Sequence, residues 1–302
     1  MSDDNSSARK MSDAELSKAL GRYQTIERIG TVIGIILAGA GMVSAFIQHD
    51  VVLFAVLFFA GVAVIVFICG TVNRKKNALL NSELGDFMHT ELFKAFGRPT
   101  GAPTMMINDA YLRNAGLISI CWDECNISNF YEAEHNGIRF STANVVLTKS
   151  VEERSGPDND NWMTKTVTVF KGVAVRCADI RPSGFDIIIT DRMQESPPKG
   201  DVSNPAVFRE RFSVRTPDGR DAMGLVTPQL AAMCSRLESA VSGKVCGLEM
   251  RGGNVSAMLN TRYQFANVPP NTDLRNIDGI RKAYVESIET IITLLDILKN
   301  NL

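Results

Sequence analysis

Two charge-free apolar runs stand near the start of the chain, at residues 29–47 and 51–72, and residues 48–50 form a polar break between them. A bilayer core is about 30 Å thick and a helix rises about 1.5 Å per residue, so roughly 20 apolar residues span it. Backbone groups in hydrocarbon must be paired within their own segment, which favours helix for both runs. The pattern therefore predicts a transmembrane hairpin of two antiparallel helices over residues 29–72.

Small residues recur on the first run, where Gly30, Gly34 and Ala38 are each four positions apart. Such a face lets two membrane helices approach closely. It is either a packing face for the second run or the ordinary glycine content of a membrane helix.

The connecting turn has no Lys or Arg. The outer ends of the two runs, by contrast, are flanked by six basic residues: Lys18, Arg22, Arg28, Arg74, Lys75 and Lys76. Because such residues favour the cytoplasmic side, both termini are predicted to be cytoplasmic, as in a multi-pass protein of a cell inner membrane. A signal peptide is the alternative for the first run. It is disfavoured because a second full-length run follows within three residues, without a small-residue cleavage site.

The segments around the hairpin differ in pattern. Residues 1–11 are small and polar, and are predicted to be disordered. Residues 12–28 predict an amphipathic juxtamembrane helix, which either runs straight into the first span or bends near Gly21. Residues 73–96 continue the second span as a linking helix. A Gly/Pro cluster then marks the start of a cytoplasmic domain at residues 97–302.

Within that domain, alternation and turn residues predict strands over residues 117–122, 129–134, 138–149, 165–177, 185–190, 207–215, 245–250 and 255–260, with an extension at 263–268. Helices are predicted over residues 108–115, 228–243 and 274–299. Strands in succession, followed by helix, hairpin and helix, predict an α+β domain with a mostly antiparallel β-sheet and C-terminal helices. Gly172 is predicted to mark a bulge or bend.

The clearest alternation in the chain lies in residues 207–215, where apolar positions alternate with Arg209, Arg211 and Arg215. This pattern predicts a half-buried strand with a basic outer face. Guanidinium groups at every second position bind phosphates well, so these three arginines are the candidate ligand-binding residues for anionic groups. The alternative is an ordinary solvated face, neutralised by acidic residues close in sequence such as Glu210.

Composition excludes few classes of function. A net charge of −1 over 302 residues argues against a general nucleic-acid binder. The chain lacks a P-loop, a GxSxG and a GxGxxG motif after a strand, and neither a cofactor nor catalytic residues are predicted. The three histidines, His49, His89 and His135, are far apart, and no metal site is predicted.

Cys121 and Cys125 are the one close cysteine pair among six cysteines, too few for a zinc site. Asp123 and Glu124 lie between them and form the densest cluster of reactive residue types. A polar turn is the simpler interpretation of this cluster.

Four short motifs, at residues 169–172, 208–214, 221–222 and 225–228, together with the paired apolar runs, resemble a family of uncharacterised bacterial proteins, number 3137 among the domains of unknown function. The resemblance covers most of the chain, from about residue 29 to the end. It implies a bacterial inner-membrane protein with a cytoplasmic domain, and it implies no reaction.

A complete anchor without a recognisable active site predicts a membrane-anchored interaction module. Its expected partners are the lipid bilayer, through two spans, and an unidentified protein, and it could form a homo-oligomer. Two alternatives stay open: a hydrolase or transferase acting at the membrane surface, and a sensor of anionic lipid headgroups that uses the arginine-lined strand.

Overall fold

The computed structural model describes residues 11–48, 51–99, 103–154, 162–180, 186–192, 200–261, 264–268 and 272–301. The chain forms two compact units, Met1–Thr90 with Asn271–Lys282 and Glu91–Pro270 with Ala283–Leu302. Residues 1–10, predicted to be disordered, and residues 49–50 of the predicted turn lie outside the described residues.

Two long helices, α1 (Asp13–Gln48) and α2 (Val51–Phe96), contain the two apolar runs. A capping box starts α1: the Ser12 backbone N–H donates to Glu15 Oε2 over 2.9 Å, and the Glu15 N–H donates to Ser12 Oγ over 3.4 Å. The helix continues through Gly21 without interruption, so of the two alternatives the straight one is observed.

Glycines bring α1 and α2 into backbone contact within the first unit. A Cβ added at Gly61 would lie 2.6 Å from the Gly34 carbonyl oxygen, and one added at Gly41 would lie 3.1 Å from the Phe54 oxygen. A Cβ at Gly30 would meet Ile68 at 2.7 Å. The small-residue face of α1 therefore packs against α2, which is the first of the two interpretations given above.

The outward sides of the same helices are apolar. Large side chains there are more than half exposed, including Ile36 (63 %), Phe59 (67 %) and Phe67 (74 %). By length and composition, both helices could cross a membrane.

The first unit also contains the start of α6 (Ile277–Asn301) and the residues just before it. Ser17 Oγ donates to the Arg275 carbonyl oxygen over 2.6 Å, and Arg281 pairs with Asp13 at 2.8 Å. The final helix was expected from residue 274. It starts later because the Asn276 side chain accepts a hydrogen bond from the Gly279 N–H over 2.8 Å, which makes Asn276 the cap.

The second unit is built on an antiparallel sheet, as expected for an α+β domain. Its strands, in the spatial order β1-β2-β3-β7-β6-β4-β5, are β1 (Glu124–His135), β2 (Ile138–Arg154), β3 (Trp162–Ala178), β4 (Ile187–Asp191), β5 (Phe212–Arg215), β6 (Lys244–Arg251) and β7 (Asn254–Asn260). Its helices include α3 (Asp109–Ala115), α4 (Pro205–Arg211) and α5 (Pro228–Val241).

Local signals place several of these elements. Asn136 and Gly137 both have positive φ, at 50° and 79°, which gives the tight turn between β1 and β2. Gly252 and Gly253 have φ of 55° and 79° and join β6 to β7 in the same way. Thr227 caps α5 by accepting from the Leu230 N–H, with a proline at the first helical position.

The sheet buries apolar side chains against α3 and the segment that follows it. This cluster contains Leu112, Leu117, Trp122, Ala143, Val145, Leu147, Phe170, Ala174 and Met258. The helix α5 contributes a separate buried stripe, Leu230, Met233, Cys234, Leu237 and Val241.

Gly172 allows a close approach between strands. A Cβ there would lie 2.0 Å from the Leu259 carbonyl oxygen on β7. The predicted bulge at this residue is wrong: the irregularity between β2 and β3 occurs at the Leu147/Thr148 step. The glycine is needed because two backbones meet there, a contact that the local pattern does not reveal.

The predicted strand over residues 117–122 and the predicted strand extension over residues 263–268 are not strands in the structure, and residue 263 lies outside the described residues. Residues 117–122 are an irregular lead-in to β1, held against α3 by a hydrogen bond of 2.7 Å from Trp122 Nε1 to Asp109 Oδ1. Residues 264–268 form a turn. The Asn144 side chain accepts a hydrogen bond from the Phe265 N–H over 2.7 Å and donates one to the Phe265 carbonyl oxygen over 2.8 Å. A side-chain amide there replaces the hydrogen bonds that a neighbouring strand would make.

Candidate functional site

The predicted arginine strand is partly a helix. Residues 205–211 form α4, and only Phe212–Arg215 continue as β5. The Asn204 side chain caps the helix by accepting from the Ala206 N–H over 2.9 Å, and Pro205 takes its first position. Phe208 and Phe212 are four positions apart, a spacing that fits a helix face as well as a strand face. The prediction of a strand over residues 207–215 is therefore wrong for its first five residues.

Arg211 is a buried structural cation and not an outward-facing ligand residue. Only 6 % of it is exposed. Its Nε lies 2.9 Å from Asp191 Oδ2, and its Nη2 lies 2.6 Å from Glu238 Oε1 and 3.3 Å from the Val245 carbonyl oxygen. The guanidinium is thus surrounded by carboxylates and a carbonyl, which corrects its assignment to the row of candidate residues.

Arg209 and Arg215, the other two candidates, line an open cleft of about 440 Å³ together with Arg192. Arg192 Nε donates to the Phe212 carbonyl oxygen over 3.2 Å, and Arg215 Nη2 donates to the Gly116 oxygen over 3.1 Å. Because backbone oxygens hold these two side chains, their positive charge is positioned without being neutralised. We call this site the arginine cleft.

Asp221 is the single carboxylate among the residues that line the arginine cleft, all of which the structure describes. Its Oδ1 accepts a hydrogen bond from the Met223 N–H over 3.0 Å. The nearby Asp218 pairs with Arg220 at 2.6 Å, and this contact together with a Thr216 hydrogen bond lowers the pKa of Asp218 to about 2. Three guanidiniums against one carboxylate favour an anionic ligand with phosphate or carboxylate oxygens.

A second polar site lies where α3 covers the sheet. Tyr111 and Asn114 of α3, Arg176 of β3, Glu249 and Arg251 of β6, and Asn254 and Ser256 of β7 line a cavity of about 390 Å³. Tyr111 Oη donates to Ser256 Oγ over 2.5 Å, and the Arg176 guanidinium lies 4.6 Å from the Tyr111 ring centroid. Burial raises the pKa of Glu249, an effect that Arg251 and Arg176 partly oppose. We call this site the polar cavity.

Sequence analysis missed the polar cavity and Arg192. Glu249 stands inside an otherwise apolar strand, and an acidic residue at such a position was the signal that could have found the cavity. Arg192 directly follows β4, where no pattern distinguishes it from any other basic residue at a strand end.

The Asp123–Glu124 cluster has structural contacts. Asp123 Oδ2 accepts from the Ser150 N–H over 2.7 Å, and Glu124 Oε2 accepts from Thr148 Oγ1 over 3.4 Å, which ties the start of β1 to β2. Burial raises the pKa of the Cys125 thiol to about 11, so it is protonated at neutral pH.

His135 lies 3.8 Å from Asp296 and against the ring of Phe96. Neither His135 nor the Asp123–Glu124 cluster lines the arginine cleft or the polar cavity. Among the described residues, no group of three or more His, Cys, Asp and Glu side chains could hold a metal ion.

Comparison with known proteins finds no match to this chain among protein-family models, curated proteins or solved structures. The two sites are therefore interpreted from their own residues.

Proposed function

We propose that this chain is a bacterial inner-membrane protein of the uncharacterised family it resembles, and that its second unit is a cytoplasmic interaction module. In this proposal α1 and α2 cross the bilayer as a hairpin with both termini in the cytoplasm. The observation that carries it is the arrangement of side chains on the two helices: glycines face the helix contact, and large apolar side chains point outward.

That arrangement suits lipid better than water. More than a dozen large apolar residues between Ile29 and Phe67 are over a third exposed. Soluble proteins rarely expose apolar patches larger than a few hundred Å². In lipid these side chains need no cover, and close packing through glycine provides the contact between the helices.

The basic residues that flank the helices support the orientation. They lie at the ends of the hairpin that join the rest of the chain, and Lys76 also pairs with Glu27 at 3.4 Å across the two helices. Basic residues close to a span favour the cytoplasmic side, where anionic lipids also attract them by about 1 kcal/mol each.

The topology can be tested by cysteine labelling with a membrane-impermeant maleimide. Cys121 is exposed in the second unit, so it should be labelled only after the cells are permeabilised. A matched variant, His49→Cys in a Cys121→Ser background, places the thiol in the predicted turn and should be labelled in intact cells. Labelling of Cys121 in intact cells would refute the proposed orientation.

The arginine cleft supports a second candidate function, the sensing of anionic lipid headgroups. It rests on the three guanidiniums, of which Arg209 has no carboxylate partner among the described residues. The experiment compares the thermal stabilisation of the detergent-solubilised full chain by water-soluble short-chain phosphatidylglycerol and by phosphatidylcholine. The anionic lipid should stabilise the protein more, and added salt should weaken the effect.

Two variants make this test specific. Arg209→Gln should weaken the response to phosphatidylglycerol several-fold. Arg236→Gln removes an exposed arginine whose side chain contacts Asn301 outside the cleft, and should leave the response unchanged. An equal response to both lipids in the unmodified protein would eliminate the sensor and leave the interaction module.

A further inference from the structure

The polar cavity has a charge pattern that the strand register creates. Arg176 lies opposite Ser256 on β7, and Ser256 lies opposite Glu249 on β6, so the three form one row across neighbouring strands. Residues paired in this way project from the same face of the sheet. Two strand spacings of about 4.8 Å separate the backbone positions of Arg176 and Glu249, with a short serine between them. A cation and an anion therefore stand at the two ends of a polar slot.

The next pair along the strands extends this pattern. Arg251 lies opposite Asn254, two residues farther along each strand and on the same face. From above, α3 adds Tyr111 and Asn114 to the lining. The cavity thus has two guanidiniums, two amides and two hydroxyls, with one carboxylate among them.

The charged groups of this cavity are not paired with each other. Glu249 is only 8 % exposed, yet among the described residues no ion pair joins it to Arg176 or Arg251. A buried carboxylate without a cation at contact distance is costly, as is a gap between opposite charges. Ser256 forms a hydrogen bond with Glu249, and the Tyr111 hydroxyl donates to Ser256, but neither residue carries a charge that could balance the carboxylate. A ligand with complementary charges would complete both ends of the slot.

We propose that the polar cavity binds a small zwitterionic molecule that carries a carboxylate or phosphate group and a primary ammonium group. Arg176 holds the anionic group at one end of the row, and Glu249 accepts hydrogen bonds from the ammonium at the other end. A volume of about 390 Å³ suits a molecule the size of an amino acid or of phosphoethanolamine. The site belongs to the second unit and does not depend on the proposed membrane anchor.

The test uses the purified full chain and isothermal titration with O-phosphoethanolamine and with glycine. Inorganic phosphate and ethylamine serve as the two separated halves of the first probe. We expect saturable binding of at least one zwitterion, at least tenfold tighter than of phosphate or ethylamine alone. The proposal would be overturned if neither zwitterion binds saturably. It would also be overturned if phosphate binds as tightly as O-phosphoethanolamine.

The ligand could be free or part of a lipid, and a further arm distinguishes these sources. Water-soluble short-chain phosphatidylethanolamine carries the same headgroup, whereas phosphatidylcholine has a quaternary ammonium that cannot donate to Glu249. Tighter binding of the ethanolamine lipid than of O-phosphoethanolamine identifies a lipid headgroup as the source. Equal or weaker binding identifies a free metabolite. Binding of the choline lipid as tight as that of the ethanolamine lipid would contradict the role given to Glu249.

Variants assign the two ends of the slot. Glu249→Gln should abolish the preference for the zwitterion over phosphate while phosphate binding persists. Arg176→Gln, at a partly exposed position at the other end of the row, should weaken the binding of the zwitterion and of phosphate by at least tenfold. It keeps the proposal testable if the Glu249 variant does not fold. Arg139→Gln removes an exposed arginine that pairs with Asp179 and does not line the cavity, and it should change the binding of neither probe. Unchanged zwitterion preference in a folded Glu249→Gln protein would refute the assignment.

Discussion

Replacing Arg211 by methionine tests whether this side chain is a buried ion-pair partner of Asp191 and Glu238. Methionine keeps much of the side-chain length and removes the charge. Asp191 and Glu238 then lose the cation that lies 2.9 and 2.6 Å from them. Asp191, at 7 % exposure, becomes a buried carboxylate without its arginine.

The expected loss is large. Removing one partner of a buried ion pair costs about 3–5 kcal/mol, because the other charge stays buried. At 1.4 kcal/mol per factor of ten, the ratio of folded to unfolded protein falls roughly 100- to 4,000-fold. A domain of roughly 150–250 residues loses about 2–4 °C of melting temperature per kcal/mol, so the melting temperature should fall by about 6–20 °C.

The matched control is Arg209→Met, the same substitution two positions earlier on α4. Arg209 is exposed and faces the arginine cleft, so its replacement should change stability by no more than about 0.5 kcal/mol. In the lipid test proposed for the arginine cleft, only Arg209→Met should weaken the stabilisation by phosphatidylglycerol, because only this variant removes a cation of the cleft.

Both tryptophans, Trp122 and Trp162, lie in the second unit, so their fluorescence reports its unfolding in the full chain. Thermal and urea unfolding followed by this signal should show a large shift for Arg211→Met and almost none for Arg209→Met. If both variants unfold like the unmodified protein, Arg211 is not a buried ion-pair partner. The strand with three outward arginines would then be the better description.

Four further predictions concern single positions. Gly61→Ala should lower the stability of the helix pair against heating in detergent, because its Cβ would lie 2.6 Å from a backbone oxygen of α1. Gly70→Ala is the control: its Cβ would meet nothing within 4 Å, so the stability should not change. Gly172→Ala should abolish recovery of folded protein on gel filtration, since its Cβ would lie 2.0 Å from a carbonyl oxygen of the neighbouring strand. Thr227→Ala removes the cap of α5 and should cost about 1 kcal/mol in urea unfolding, with an unchanged near-ultraviolet circular dichroism spectrum as the check that the fold persists. Without ligand, burial raises the pKa of Glu249 above its ordinary value of 4.5. The folded protein therefore binds this proton more tightly than the unfolded chain, which stabilises the fold fully below pH 4.5. This contribution to stability is lost as the pH rises through the raised pKa. The stability of Glu249→Gln relative to the unmodified protein should therefore increase from acidic to neutral pH, and a pH-independent difference would contradict the burial of this carboxyl group.

Much of the local structure could be predicted because its causes lie within a few residues. The capping pair Ser12–Glu15, the Thr227 cap and the Asn136-Gly137 turn each depend on side-chain or backbone contacts over at most three positions. The apolar runs of α1 and α2 are equally evident, since length and hydrophobicity are properties of the run itself. The α+β class followed from the order of these elements.

The prediction of a strand over residues 207–215 failed because the spacing of its apolar residues fits two periods. Phe208 and Phe212 are four positions apart, a spacing that fits one face of a strand and one face of a helix, and the helix start at Asn204 and Pro205 decides between them. Which arginine is buried depends on Asp191 and Glu238, which are 20 and 27 residues away from Arg211. No local pattern contains those distances.

From its residues alone, this chain determines where two membrane-length helices run, where helices and hairpins begin, and that an antiparallel sheet follows. Only the tertiary structure decided which charges are paired and which face a cleft. Strand register placed Arg176, Ser256 and Glu249 in one row, and long-range packing buried Arg211 beside two carboxylates. The physical reason is that caps, turns and apolar periodicity depend on sequence neighbours, whereas desolvation and charge pairing depend on neighbours in space.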